Sequence, residues 1–122
     1  MAPAVRIKRV YDPPSGGDGR RILVDRLWPR GVSREKARID SWMKELAPSS
    51  ELRTWFQHDP DKWPEFVKRY RAELKGKAAL VSELRAAAAG GTMTLLFAAK
   101  DEEHNNAVVL RGILVRKGKQ KP

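Results

Sequence analysis

The chain has 122 residues, one domain's worth, and 41% of them are apolar, which suffices for a single core. A formal net charge of +10 favours phosphate-bearing or otherwise acidic partners, although charge placed for solubility would read the same. The absence of cysteine excludes disulfides, thiolate zinc sites and a cysteine nucleophile, and no run approaches the ~20 apolar residues of a membrane span.

At the N-terminus, Met1-Ala2-Pro3-Ala4-Val5-Arg6 lacks the apolar core of a signal peptide, so a soluble cytoplasmic protein with no membrane partner is expected. Val5 to Tyr11 alternates apolar and basic side chains, the period of a half-buried first strand. Asp12 to Gly19 is rich in proline and glycine and forms a loop. It is compatible with a hairpin or with a parallel return. Arg20 to Trp28 reads as the second strand, its apolar run Ile22-Leu23-Val24 suited to burial. Pro29-Arg30-Gly31 cannot continue a strand and must turn.

Ser33 has the character of a helix N-cap, and Ile39, Trp42, Met43 and Leu46 follow at helical spacing. Pro48 stops that helix. Ser49 or Ser50 then caps a short one carrying Leu52, Trp55 and Phe56. Asp59-Pro60 starts another, with Trp63, Phe66, Val67, Tyr70 and Leu74 on its core face. Gly76 ends it. Ala78 to Ala89 is a further helix, closed by Gly90-Gly91. Thr92 to Ala99 is the third strand, continuous in apolar content as a strand covered on both faces should be. A last helix carries Ala107, Val108, Leu110, Ile113 and Leu114, and a basic, flexible tail is expected over residues 116–122.

The order predicts one α/β domain spanning 1–122: a small three-stranded, mainly parallel sheet with about five helices packed on it. Helices between the second and third strands imply that those two run parallel with a right-handed crossover. The loops after them then share one end of the sheet, where ligands collect in open α/β folds.

That end holds the unusual residues. Asp25, Arg26, Trp28 and Arg30 follow the second strand, and Lys100, His104 and Asn105 follow the third. Arg9 and Tyr11 close the first and form a third wall. Guanidinium groups bind phosphate or carboxylate through paired hydrogen bonds, so Arg26, Arg30 and Lys100 are candidate anion ligands. Tyr11 or Trp28 is placed to stack on a ring, and Asp25 or His104 to move a proton. The plainer reading makes Asp25 the partner of an internal arginine, and His104 part of a solvated first helical turn. His58-Asp59-Pro60 reads first as a helix entry. Two histidines without H-x-x-x-H spacing argue against metal, and no phosphate loop, dinucleotide fingerprint or nucleophile elbow occurs, so no cofactor is expected.

A set of motifs adds a resemblance. Arg9-Val10-Tyr11-Asp12, the run from Leu23 to Gly31, Asp40-x-Trp42-x-Lys44 with Ala47-Pro48-Ser49, and Leu52-Arg53-x-Trp55-Phe56-x-His58-Asp59-Pro60 belong to it. So do Trp63, Phe66 and Tyr70, and Thr94 to Asp101 with His104-Asn105. Together they resemble the YeaO-like proteins, a bacterial family filed under domain of unknown function 488. The resemblance covers most of the chain, implies a small α/β fold and brings no established activity. The wider family carries Asp-Val-Arg after its second strand, which Asp25-Arg26-Leu27 is similar to, and often Cys-His-Arg after its last. The nearest counterpart of the latter is His104-Asn105-Asn106, without cysteine or arginine, so chemistry needing that thiol is not expected.

Two functions follow as expectations. One is a pocket for a phosphorylated or nucleotide-like small molecule at the strand carboxyl ends, with or without a reaction. The other is a nucleic-acid-binding module using the basic body and tail, whose affinity would fall steeply with salt.

Overall fold

The computed structural model describes residues 4–116 and sets four parallel strands in one sheet. These are β1 (Val5–Arg9), β2 (Arg20–Leu23), β3 (Ser41–Trp42) and β4 (Met93–Phe97), in the order β1-β4-β2-β3. β4 pairs β1 from Val5↔Met93 to Arg9↔Phe97, and β2 from Arg20↔Met93 to Leu23↔Leu96. All five β4 residues are buried, which explains why Met93-Thr94-Leu95-Leu96-Phe97 shows no polar alternation. Because β1 and β2 flank β4 in the same direction, the Asp12–Gly19 loop is a parallel return and not a hairpin.

Strand alternation divides β4 between two layers. Met93, Leu95 and Phe97 join Ile22 and Val24 in a core cluster that takes residues from every α-helix. Those helices are α1 (Ser50–Phe56), α2 (Trp63–Lys75), α3 (Ala78–Ala89) and α4 (Asn106–Arg116). On the other side, Leu96 meets Leu23, Val10, Ala37 and Ile39, with Trp28 and Trp42 packed around them. There the loops after β1 and β2 do the covering.

The loop returning to β2 is held by one acid. Asp18 is 3% exposed and accepts from Lys8 Nζ at 3.1 Å, Arg21 Nη1 at 2.6 Å, and the Ser15 N–H and hydroxyl, each at 3.0 Å. Its own carbonyl accepts from the buried Thr94 hydroxyl at 2.7 Å. Gly19 follows at φ 64°, and a Cβ there would lie 2.1 Å from the Thr92 carbonyl oxygen, so only glycine fits.

Helix ends behave as their sequences require. The Ser49 hydroxyl accepts from the Leu52 N–H, Asp59 accepts from the Asp61 N–H, and Gly76 and Gly90 receive the ends of α2 and α3. One expected helix does not form. Ser33 begins a single turn, with Lys36 N–H donating to its hydroxyl and Ala37 N–H to its carbonyl, but Arg38 enters the left-handed region at φ 53°. The chain then runs extended along β2: Asp40 N–H donates to Arg21 O, Met43 N–H to Leu23 O, and the Asp40 carboxylate accepts from Arg21 N–H. The open backbone edge of β2 outweighs the helical spacing of Ile39, Trp42, Met43 and Leu46. Hence the sheet has four strands where three were expected, and four α-helices where the spacing suggested five. The basic tail beyond residue 116 lies outside the described residues.

Candidate functional site

With all strands parallel, the carboxyl ends of β1, β2 and β4 share one edge of the sheet. A cavity of about 310 Å³ opens there, floored by the exits of β2 and β4 and walled by α1, α2 and the start of α4. Its polar groups are Tyr11, Asp25, Arg26, Arg30, Arg53, His58, Asn105 and Asn106; its apolar walls include Leu27, Trp28, Pro48, Phe56 and Phe66.

Asp25 sits one residue past the last ladder bond of β2, which Val24 N–H donates to Leu96 O. Its Oδ2 accepts from the Ala98 N–H at 2.9 Å and its Oδ1 from the Asn106 amide at 3.2 Å. The same amide nitrogen donates to Val24 O at 2.8 Å, which fixes its orientation. Burial pushes the Asp25 carboxyl above its ordinary value, against the opposing pull of those two donors and of the charges on His58 and Arg53. Among the described residues Asp25 makes no salt bridge, so the expected internal partner arginine is absent.

Arg26 turns beneath the α1 entry, where Nε donates to Pro48 O at 3.0 Å and Nη2 to Ala47 O at 3.5 Å. Carbonyls thus satisfy a partly buried charge. Trp28 packs edge-on against Trp42, with centroids 5.2 Å apart, and donates Nε1–H to Val32 O. Arg30 is exposed at the rim; its carbonyl accepts from the Tyr11 hydroxyl at 3.0 Å, tying the β1 and β2 exits together. Asn105 is 2% exposed and caps α4, its Oδ1 accepting from Val108 N–H while Nδ2 donates to Asp101 O.

Three candidates fall outside the cavity lining. Arg9 braces the β4 exit, donating to Ala99 O at 2.9 Å and Ala98 O at 3.2 Å, with its guanidinium over the Tyr11 ring. Lys100 is exposed and does not line the cavity. His104 is held by its own turn: Nδ1 lies 2.9 Å from Asp101 Oδ2, and the ring meets the Trp63 indole edge-on at 5.2 Å. Hydrogen bonds from the Glu103 N–H and then from His104 hold the Asp101 carboxyl below its ordinary value.

Two basic side chains reach the cavity from outside the strand ends. Arg53 lies on α1 and His58 just beyond it, and both line the cavity. Ser49 fixes α1 by donating its N–H and hydroxyl to the Glu73 carboxylate on α2, at 2.8 and 2.6 Å. The chain leaves α1 through two successive left-handed residues, Gln57 at φ 48° and His58 at φ 57°. Neither is glycine or asparagine, so nothing in the composition advertises the bend, and backbone strain of this kind gathers at functional sites. The side chains of Arg30, Arg53 and His58 make no hydrogen bond or ion pair among the described residues. Chemically the site offers one carboxylate, two guanidinium groups without a partner among the described residues, and aromatic walls. Among the described residues no cluster of three or more histidines and acids is placed to hold a metal.

A family model described as "Inactive DUF488-N3 subclade" matches residues 4–122. An uncharacterized protein of Mycobacterium tuberculosis is 41% identical over 110 residues, covering 90% of this chain and 92% of that protein. The uncharacterized protein YeaO of Escherichia coli is 42% identical over 106 residues, covering 87% and 92%. No solved structure matches the chain.

Proposed function

Because the chain belongs to the DUF488-N3 family, in the subclade described as inactive, we propose that it binds a small phosphorylated or nucleotide-like molecule without turning it over. One observation carries this reading: Arg30, Arg53 and His58, without hydrogen-bond or ion-pair partners among the described residues, line the same largely apolar cavity as Asp25. Unpaired guanidinium groups beside apolar walls suit a ligand with an anionic end and a flat body. The missing cysteine and the placement of His104 outside the cavity support binding over reaction; any turnover would have to rest on Asp25 as proton carrier. The cytoplasm is the setting expected for such a ligand, and no described helix is long and apolar enough to cross a membrane.

Isothermal titration of the full chain with inorganic phosphate, sugar phosphates and nucleotides tests the proposal. Binding is expected, and Arg53→Gln should weaken it about ten-fold, the weight of one charge-assisted hydrogen bond. Silence across the whole panel would end it. The nucleic-acid alternative draws on the net charge of +10. Against it, Trp63 and Phe66 stack on each other, Trp42 packs on Trp28, and Lys62 and Arg69 cover Trp55, so no row of rings is left for bases. A gel shift blank at low salt would dispose of it.

A further inference from the structure

We infer that Asp25 selects the ligand by its ring, taking the paired ring N–H and amine of an aminopyrimidinone edge, as in guanine or a pterin, while Arg53 and His58 take its phosphate. This rests on the pocket reading above and names its ligand class. Each Asp25 oxygen already accepts one fixed donor, Oδ2 from Ala98 N–H and Oδ1 from the Asn106 amide. A carboxylate has about four acceptor positions, so about two are left for a ligand. No cation among the described residues pairs with it, although it is half-buried where it borders the cavity. An acceptor kept in that state is satisfied when a ligand donates to it.

The charge of the surroundings then limits the donor. Arg26, Arg30 and Arg53 line the same cavity and disfavour a cationic ligand, so the donor must be neutral. Among nucleobases, guanine alone places a ring N–H beside an exocyclic amine with no acceptor facing the carboxylate. Adenine and cytosine set an acceptor next to their amine, and uracil flanks its N–H with two carbonyls. Pterins share guanine's edge. Phe56 and Phe66, stacked with centroids 4.3 Å apart, and Trp28 supply aromatic walls for a fused ring. Arg53 and His58 are exposed at the mouth, where a phosphate would emerge.

The test is calorimetry on the full chain with guanosine, inosine and adenosine monophosphates, inorganic phosphate and neopterin. Guanosine monophosphate should bind about ten-fold or more tighter than inosine monophosphate, which differs by the single amine, and tighter still than the adenosine form. Asp25→Asn should bring the guanosine and inosine affinities together; Arg53→Gln and His58→Gln should weaken all three nucleotides alike and keep their ratio. Neopterin binding that Asp25→Asn abolishes would uphold the role of Asp25 and identify the ring as a pterin. Equal binding of the three nucleotides by wild type, without neopterin binding, overturns the inference but leaves an anion pocket standing. If no phosphorylated compound and no pterin binds, pocket and inference fall together. The wild-type ligand series decides the matter even if Asp25→Asn does not fold.

Discussion

Two aspartates bracket β2, and the sheet treats them in opposite ways. Asp18, just before the strand, is buried with Lys8 and Arg21 on its carboxylate and the Ser15 N–H beside it. Burial alone would raise its proton affinity, but the Ser15 N–H, Lys8, the Ser15 hydroxyl and Arg21 outweigh it and hold the carboxyl far below the usual range. Asp25, just after the strand, has two neutral donors and no paired cation among the described residues, and there burial prevails. One acid is spent on scaffold, at the end of the sheet where chains enter. The other is held in reserve at the end where ligands collect. Residue type does not separate the two; the company each keeps does.

The largest test of this contrast is truncation. Asp18→Ala strands the Arg21 guanidinium, itself 3% exposed, and should cost about 3–5 kcal/mol in urea unfolding. Asp25→Ala removes an acceptor beside an open cavity, where water can replace it, and should cost about 1 kcal/mol or less. Equal losses would break the comparison.

The pH dependence sharpens it, because the two signs are opposed. The Asp18 carboxyl is lowered in the folded state, so its contribution is present above ~4 and drains away as pH falls below that. The Asp25 carboxyl is raised, so its contribution is present below ~4 and is lost as pH rises through the folded value. In urea midpoints, the advantage of wild type over Asp18→Asn should shrink on acidification. Its standing against Asp25→Asn should worsen as pH rises.

Smaller effects follow at the α1 exit. Gln57→Gly relieves a left-handed side-chain residue and should stabilise the chain by about 1 kcal/mol in thermal melts. Arg53→Gln should change stability by less than about 0.5 kcal/mol while lowering ligand affinity, as befits a cation with no partner among the described residues. A large stability loss there would move Arg53 from the site to the scaffold.

Much of this was legible in the residues, and the failures have physical causes. β4 announced itself because a strand buried on both faces needs no polar alternation. Ser49, Asp59, Gly76 and Gly90 marked helix ends because each end must satisfy free backbone groups locally. The segment 33–46 misled because its spacing describes side chains, whereas its fate was set by backbone groups of β2 that spacing does not register. At the site, Asp25, Arg26, Trp28 and Arg30 were readable as the residues of a strand exit. Arg53 and His58 were not, since α1 reaches the cavity through the Glu73–Ser49 contact, a tertiary event. Lys100 and His104 sit at the right place in the chain but outside the cavity lining, Lys100 exposed and His104 held by Asp101 in its own turn.

The position of β4 also bears on how the molecule comes into being. The strand that separates β1 from β2 follows both of them in the sequence, so until Phe97 has emerged the ribosome holds a chain whose sheet has no middle. Only the two-residue β2–β3 contact can pair before then. Assembly is therefore postponed until β4 has been made, and any nascent fragment stopping short of Met93 should be digested by protease as readily as an unstructured peptide.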